Sequence, residues 1–425
     1  MSAERRGSVY LRSARSYSED ATPDREDDPR PVANNPKSRS PTTPEQREAA
    51  RLRRRVRVEL EAAGFVTKDG RLHHSDALTK QAIRGLHTRQ RAAVLERARP
   101  FIERWEERVI EEFANGEEVN PRKIRPVVER VDGDGFEAAL FRFATLHWSV
   151  PVSVGYGRRT RFLVRDATTG KLIGIFALGD PVYNLRCRDN LIGWGVKQRN
   201  ARLYNVLDAF VLGALPPYRE LLAGKLVAMA ATSQETAALI AEKYQGTQTI
   251  ISRTSKDPRP VLITTTSALG RSSLYNRLKY RNRLLFRPIG YTEGFGHFHF
   301  PDVLFDEFCE FLSNDGGVPS HEYGSGPNWR LRTIRHTLRK IGLDQELLHH
   351  GIHRQVFIAP LAIDWREYLL GETNSPRWYR LKLGEMAAFY RRRWAIPRAG
   401  RDSSYRSASR EQMRLSTADV RGGRQ

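Results

Sequence analysis

Thr160-Arg161-Phe162-Leu163-Val164-Arg165-Asp166-Ala167-Thr168-Thr169-Gly170-Lys171-Leu172-Ile173-Gly174-Ile175-Phe176-Ala177-Leu178 reads as two apolar runs hinged on a turn. Thr160–Val164 and Leu172–Leu178 are rich in the β-branched and aromatic residues that suit a pleated surface. Asp166–Gly170 supplies the turn chemistry, so the two runs are expected to pair as a hairpin. Downstream, Asn205–Leu215 and Val261–Thr266 read as two more strands. The helical stretches Arg219–Ala231 and Ser233–Tyr244 lie between them. Strand, helix and strand of this length imply a parallel crossover. A further β segment is expected over Phe286–Phe300. The fold class is therefore α+β or α/β, with a mixed central sheet and helical regions on either side.

Upstream, Arg51–Ala63 reads as a basic helix that Gly64 can end. Ser75 and Thr88 are candidate caps for two more, and Pro100 is expected to bend or split the second. From Val303 onward the pattern is helical and increasingly basic. Between Arg391 and Gln425 there are ten arginines and three acids. The expected organisation is a Pro/Ser/charged disordered tail over 1–50, a helical region over 51–140 and an α/β core over 141–302. A helical basic region over 303–398 and a disordered Arg-rich tail over 399–425 complete it.

Composition narrows the function. Of 425 residues, 40% are hydrophobic, enough for a core and too many for a wholly disordered chain. No apolar run is long enough to span a bilayer, and Met1–Arg6 opens no signal peptide. The two cysteines, Cys187 and Cys309, cannot form a four-thiolate zinc site, and they suit a cytoplasmic setting. The formal charge of +22 points to a polyanionic partner, above all DNA or RNA. Residues 1–50 hold nine basic and nine acidic side chains, so the excess belongs to the remainder of the chain.

Four segments suit phosphate. Gly155-Tyr156-Gly157-Arg158-Arg159-Thr160-Arg161 sets arginine forks beside glycines that admit a close ligand. Arg188-Asp189-Asn190-Leu191-Ile192-Gly193-Trp194 reads either as a structural clamp or as a base-stacking Trp194 flanked by cations. Pro216–Leu226, with Arg219 and Lys225, joins a strand to a helix where free N–H groups gather, though it lacks P-loop spacing. Thr264–Leu278 clusters hydroxyls with Gly270, Arg271, Ser272, Tyr275 and Arg277 at a strand end opening into a helix. His297-x-His299 reads as polar surface rather than a metal site, and His349/His353, one helical turn apart, lack the glutamate that H-E-x-x-H demands. No carboxylate cluster suits a two-metal nuclease, and no G-x-S-x-G elbow is present.

In order along the chain, Gly155–Arg159, Arg188-Asp189-x-x-Ile192-Gly193-Trp194, Gly213-Ala214-x-Pro216-Pro217-Tyr218, Leu222–Ala228, Thr264–Arg277 and Gly290-Tyr291-Thr292-x-Gly294-Phe295-Gly296 resemble the DruA family of the Druantia anti-phage defence system. The resemblance spans about Trp148 to Phe300. It implies an antiviral defence component that works with a helicase of the same system. The strand and helix order is also similar to the GNAT acyltransferase pattern. In that family Arg/Gln-x-x-Gly-x-Gly/Ala holds the coenzyme A pyrophosphate, and a tyrosine matching Tyr275 serves as general acid. Here Arg219 leads the motif, but Leu222 stands where its first glycine belongs. The expected function is nucleic-acid binding through Arg158, Arg159, Arg161, Arg188, Arg219, Lys225, Arg271 and Arg277, with no cofactor. Acyl transfer from acetyl-CoA is the alternative, and whether the chain is an enzyme stays open.

Overall fold

The computed structural model describes residues 43–68, 70–74, 78–152, 155, 157–248, 253–314 and 329–416. Seven strands form the main sheet: β1 (Pro126–Val131), β2 (Arg159–Asp166), β3 (Leu172–Gly179), β4 (Val206–Ala214), β5 (Leu262–Thr266), β6 (Arg287–Tyr291) and β7 (Gln355–Pro360). Their spatial order is β6-β7-β5-β4-β3-β2-β1. The β2–β3 hairpin forms as expected, antiparallel with Phe162 opposite Phe176. Every neighbour pair is antiparallel except β4 and β5, which run parallel over Val206↔Leu262, Leu207↔Ile263 and Asp208↔Thr264. The helices α5 (Gly224–Ala231) and α6 (Gln234–Tyr244) make that crossover. The protein is thus mixed α+β.

Both faces of the sheet are covered, which is why β3 is buried along its whole length. Phe162, Val164, Ile173, Phe176, Ile263 and Phe357 pack against α5, α6 and α10 (Leu383–Tyr390). The opposite face carries two separate cores. Leu163, Ile175 and Val211 meet α2 (Thr88–Val109) and α3 (Phe136–Thr145). Val206, Leu262 and Ile358 meet Ile192 and Trp194 beside α4 (Arg186–Ile192), together with Trp365 and Leu369 of α9 (Trp365–Leu370). A fourth core joins α1 (Pro44–Ala62), the hairpin Phe65–Lys68/Arg71–His74, α7 (Asp302–Asn314) and α8 (Trp329–Lys340).

Several boundaries differ from the sequence reading, each for a local reason. Helix α1 starts at Pro44 rather than Arg51, because Thr43 and Gln46 form a reciprocal capping box with proline at the first turn. The second expected helix is Lys80–Leu86, capped by Thr79, while Ser75 lies outside the described residues. Helix α2 runs through Pro100, whose exposed position leaves the Glu96 carbonyl open to water. The sheet takes β1 and β7 from outside 141–302. Of the β segment expected over Phe286–Phe300, only Arg287–Tyr291 is a strand.

At the far end, residues 399–416 are folded rather than a loose tail. Met413 and Leu415 enter the core beneath α2, and the Leu415 N–H donates to Glu106 Oε1 at 2.6 Å. Residues 1–42 and 417–425 of the two expected tails lie outside the described residues.

His299, expected on the surface, lies instead in an interior cluster with His350. His299 is buried, with Nε2 2.8 Å from the Leu347 carbonyl, and His350 packs on Phe298. Burial depresses both imidazoles, His299 to about 4 and His350 to about 3. Both are neutral in the fold, whereas the unfolded chain takes up protons below about 6.5. Stability is therefore fully present above that value and is lost as pH falls toward 4, by about 1.4 kcal/mol per pH unit for each group. Thermal unfolding between pH 7.5 and 4.5 should show His299→Gln losing Tm less steeply than the natural chain. Identical slopes would place the histidine in a solvated state.

Candidate functional site

Most of the arginines singled out in the sequence serve the fold. Arg158 donates through Nε to Asp180 Oδ1 at 2.8 Å and through Nη2 to the Tyr204 carbonyl at 2.6 Å, with its guanidinium stacked 3.6 Å over the Tyr204 ring. Arg159 lies 3.7 Å over Phe210, and burial lowers its pKa. Arg161 donates to the Gly133 carbonyl at 2.7 Å. Arg219 forms an exposed pair with Glu220 at 2.8 Å, which contributes little.

Arg188 is wholly buried. Its fork donates to the Val182 and Tyr183 carbonyls, each at 2.9 Å, and its Nε donates to Asp189 Oδ1 at 2.7 Å. Asp189 also accepts from Trp194 Nε1 at 3.2 Å, and the Trp194 ring is core. Of the two readings of this segment, the structure takes the clamp. The Arg188 guanidinium matches carbonyls and a carboxylate already present, so none of it faces a ligand.

The segment after β5 departs from the expected helix. Gly270 takes φ +72°, and Tyr275–Arg277 form one 3₁₀ turn. Ser272 Oγ accepts from the Tyr275 N–H at 3.2 Å. Tyr275 is buried between Phe286 and Phe357, and burial pushes its phenol up to about 12. Arg271 and Arg277 face solvent.

The loop after β4 packs against this segment so closely that a Cβ on Gly224 would lie 2.8 Å from Leu274. Leu222 stands exposed in the left-handed region at φ +62°, a conformation that favours glycine. The C-terminal helices lock the loop from behind. Tyr390 Oη donates to the Leu221 carbonyl at 2.8 Å, and Arg398 Nε donates to Glu220 O at 3.2 Å.

These contacts gather three cations from distant parts of the chain. Lys225, half-buried at the start of α5, has its pKa lowered first by burial and then by Arg277 and Arg393 nearby. Its ammonium lies 5.2 Å from the centre of the Trp394 ring. Among the described residues, none of the three makes an ion pair. Cations that repel one another beside a low-dielectric wall are stabilised by an incoming anion. Arg393 was not among the sequence candidates, since it sits in an undifferentiated arginine run.

On the other face of the sheet, the parallel ladder ends in a polar pair. Thr264 Oγ1 donates to Asp208 Oδ1 at 2.6 Å, and one residue on Thr265 Oγ1 donates to the Ala209 carbonyl at 2.8 Å. Burial pushes the Asp208 carboxyl up to about 6, against the Thr264 hydroxyl and the charges of Arg188 and Arg159. In the sequence Asp208 stands only as an isolated carboxylate; its pairing with Thr264 beside Arg188 and Arg159 has no sequence signature.

The fold and site define a mixed α+β protein that, among the described residues, collects cations without ion pairs beside the parallel pair β4 and β5. The model of the family described as Druantia protein DruA matches residues 77–371, wider on both sides than the motif series, and the chain belongs to this DruA family. It is 45% identical over 360 residues to the Druantia protein DruA of Escherichia coli (strain UMEA 4076-1), covering 84% of this chain and 89% of that protein. No solved structure matches the chain. Among the described residues, no helix is long and apolar enough to cross a membrane.

Asp208→Asn tests the buried carboxylate. A carboxyl raised to about 6 holds its proton more tightly in the fold, so stability grows as pH falls through 6 and is missing at pH 7.5. The variant should be more stable than the natural chain at pH 7.5 by up to about 3 kcal/mol, the gain shrinking as pH falls from 6 toward 4. Destabilisation at pH 7.5 would show that the ionised carboxylate is structurally required.

Proposed function

We propose that this DruA-family protein is a Druantia anti-phage defence component that binds nucleic acid through phosphate contacts and acts with the system's helicase. The supporting observation is the Lys225, Arg277 and Arg393 cluster, three cations without a carboxylate among the described residues. Arg271, exposed on the same segment as Arg277, adds a further cation without an ion pair among the described residues. Trp394 adds a ring on which a base can stack. Family membership supports the defence role, and the motif series supports the helicase partner.

Binding of labelled DNA to the full chain should weaken linearly on a log–log salt plot, with slope about −0.9 per phosphate on duplex. Replacing Lys225, Arg277 and Arg393 together by glutamine should flatten that slope by about 2 to 3 and abolish phage protection in a plaque assay. Affinity that ignores salt between about 50 and 200 mM would refute the reading.

One observation favours a GNAT-like acyltransferase as the second reading: the Arg219–Gly224 loop adopts a left-handed turn at the position where the GNAT motif has glycine. Leu222 itself opposes it, because its side chain occupies the approach that a pyrophosphate needs. Tyr275 packs between aromatic rings, away from solvent. Calorimetry with acetyl-CoA at about 100 μM should show no binding, where a Kd near 1 μM would saturate the site. A one-site isotherm would favour the acyltransferase.

A further inference from the structure

Helix α8, Trp329-Arg-Leu-Arg-Thr-Ile-Arg-His-Thr-Leu-Arg-Lys340, contains no acidic residue. Thr333, Ile334, Thr337 and Leu338 are buried against the fourth core. The Thr333 and Thr337 hydroxyls bond back to the helix, donating to the Trp329 and Thr333 carbonyls, each at 3.0 Å. The opposite face exposes Arg332, Arg335, His336 and Arg339, at i, i+3, i+4 and i+7 of one helical stripe. Arg335 uses one donor, Nε, on Gln345 Oε1 at 2.9 Å and has no ion pair among the described residues.

A second cationic row lies on α1, which is tied to the chain just past the end of α8. Arg53 of α1 donates to the carbonyl of Ile341 at 3.0 Å, just beyond the end of α8. On α1 the side chains of Arg47, Arg51, Arg54 and Arg57 are exposed. Glu59 and Glu307 are used within the lobe, since Arg55 pairs with both and Arg89 also pairs with Glu59, while Glu61 stands exposed one turn after Arg57. Among the described residues, Arg51, Arg54, Arg57 and Arg339 make no ion pair.

We propose that this ridge is a second nucleic-acid surface, on which α8 enters the major groove of duplex DNA while α1 tracks the flanking phosphates. The inference rests on the nucleic-acid reading above. It goes further in naming a duplex and a surface formed by elements separate from the Lys225 cluster. The partner follows from chemistry. A helix of this kind is about 18 Å long, and its exposed stripe offers mainly donors, which suit phosphates and the acceptor edges of guanine. The B-form major groove, about 12 Å wide, admits an α-helix; the deep, narrow A-form groove of duplex RNA does not. A folded acidic protein would meet the same charge without that distinction.

The test is fluorescence anisotropy of the full chain on duplex DNA, duplex RNA of the same sequence, and polyglutamate. It compares the natural chain with an Arg54→Gln, Arg57→Gln, Arg335→Gln, Arg339→Gln variant, and melting temperature checks that the variant folds. The proposal expects duplex DNA to bind at least tenfold more tightly than duplex RNA or polyglutamate. The variant should lose at least tenfold in DNA affinity and about 3 to 4 in salt slope. Natural-like DNA affinity and slope in the folded variant would overturn this surface while leaving the Lys225 cluster standing. Equal binding of duplex RNA or polyglutamate would overturn the groove assignment. If the natural chain binds no nucleic acid, the broader reading falls and this one with it. Should the quadruple variant fail to fold, Arg54→Gln/Arg339→Gln decides the same question, with an expected slope change of about 2.

Discussion

Three parallel residue pairs, Val206–Asp208 against Leu262–Thr264, constrain everything that follows in this fold. Parallel strands must be joined by a crossover, so α5 and α6 are obligatory, and the carboxyl ends of β4 and β5 must point the same way. That single consequence brings the Pro216–Gly224 loop against the Ser267–Leu278 segment. Lys225 and Arg277 become neighbours although the chain separates them by a strand, two helices and a long loop. An antiparallel pairing at this position would have sent them to opposite ends of the sheet. The Tyr390 bond to the Leu221 carbonyl then fixes the C-terminal helix, which brings Arg393 to the same place.

The net charge of +22 divides into two populations with different physics. One is internal: Arg188 spans two carbonyls and a carboxylate, Arg158 closes on Asp180 and Tyr204, and Arg161 holds Gly133. Of these, the Arg188 guanidinium is satisfied on every side, and removing it would strand the acceptors it bridges. The other population meets no carboxylate among the described residues. It includes the Lys225 cluster, Arg271, Arg335 and Arg339 of α8, and Arg51, Arg54 and Arg57 of α1. Only the second population leaves charge available to a polyanion, which is why composition alone could name a partner class but not a surface.

Local pattern carried the strands whose both ends carry turn chemistry. Thr160–Val164, Leu172–Leu178 and Val261–Thr266 were legible within one or two residues, and so was the parallel crossover. Strands β1 and β7 were not. Pro126–Val131 carries Glu129 and Arg130 on an edge, and Gln355–Pro360 is a short apolar run inside a helical, basic stretch; sheet membership there is decided by long-range pairing. At the site, glycine-flanked arginines resemble phosphate loops, yet most of those arginines are paired within the fold. Arg393 and Asp208 acquire their character only from residues distant in sequence. The stripe of Arg332, Arg335, His336 and Arg339 is present in the sequence at helical spacing. Charge at that spacing does not by itself separate a binding face from an ordinary solvated one.

Hydrogen exchange of the full chain with and without duplex DNA tests the central claim most directly, that the surface cations rather than the internal arginines contact the polyanion. The account predicts slowed exchange over the start of α5, the Ser267–Leu278 segment and α8, with no change over the Arg188–Trp194 clamp or the β2–β3 hairpin. Protection confined to the clamp and hairpin, or spread evenly over the molecule, would contradict it.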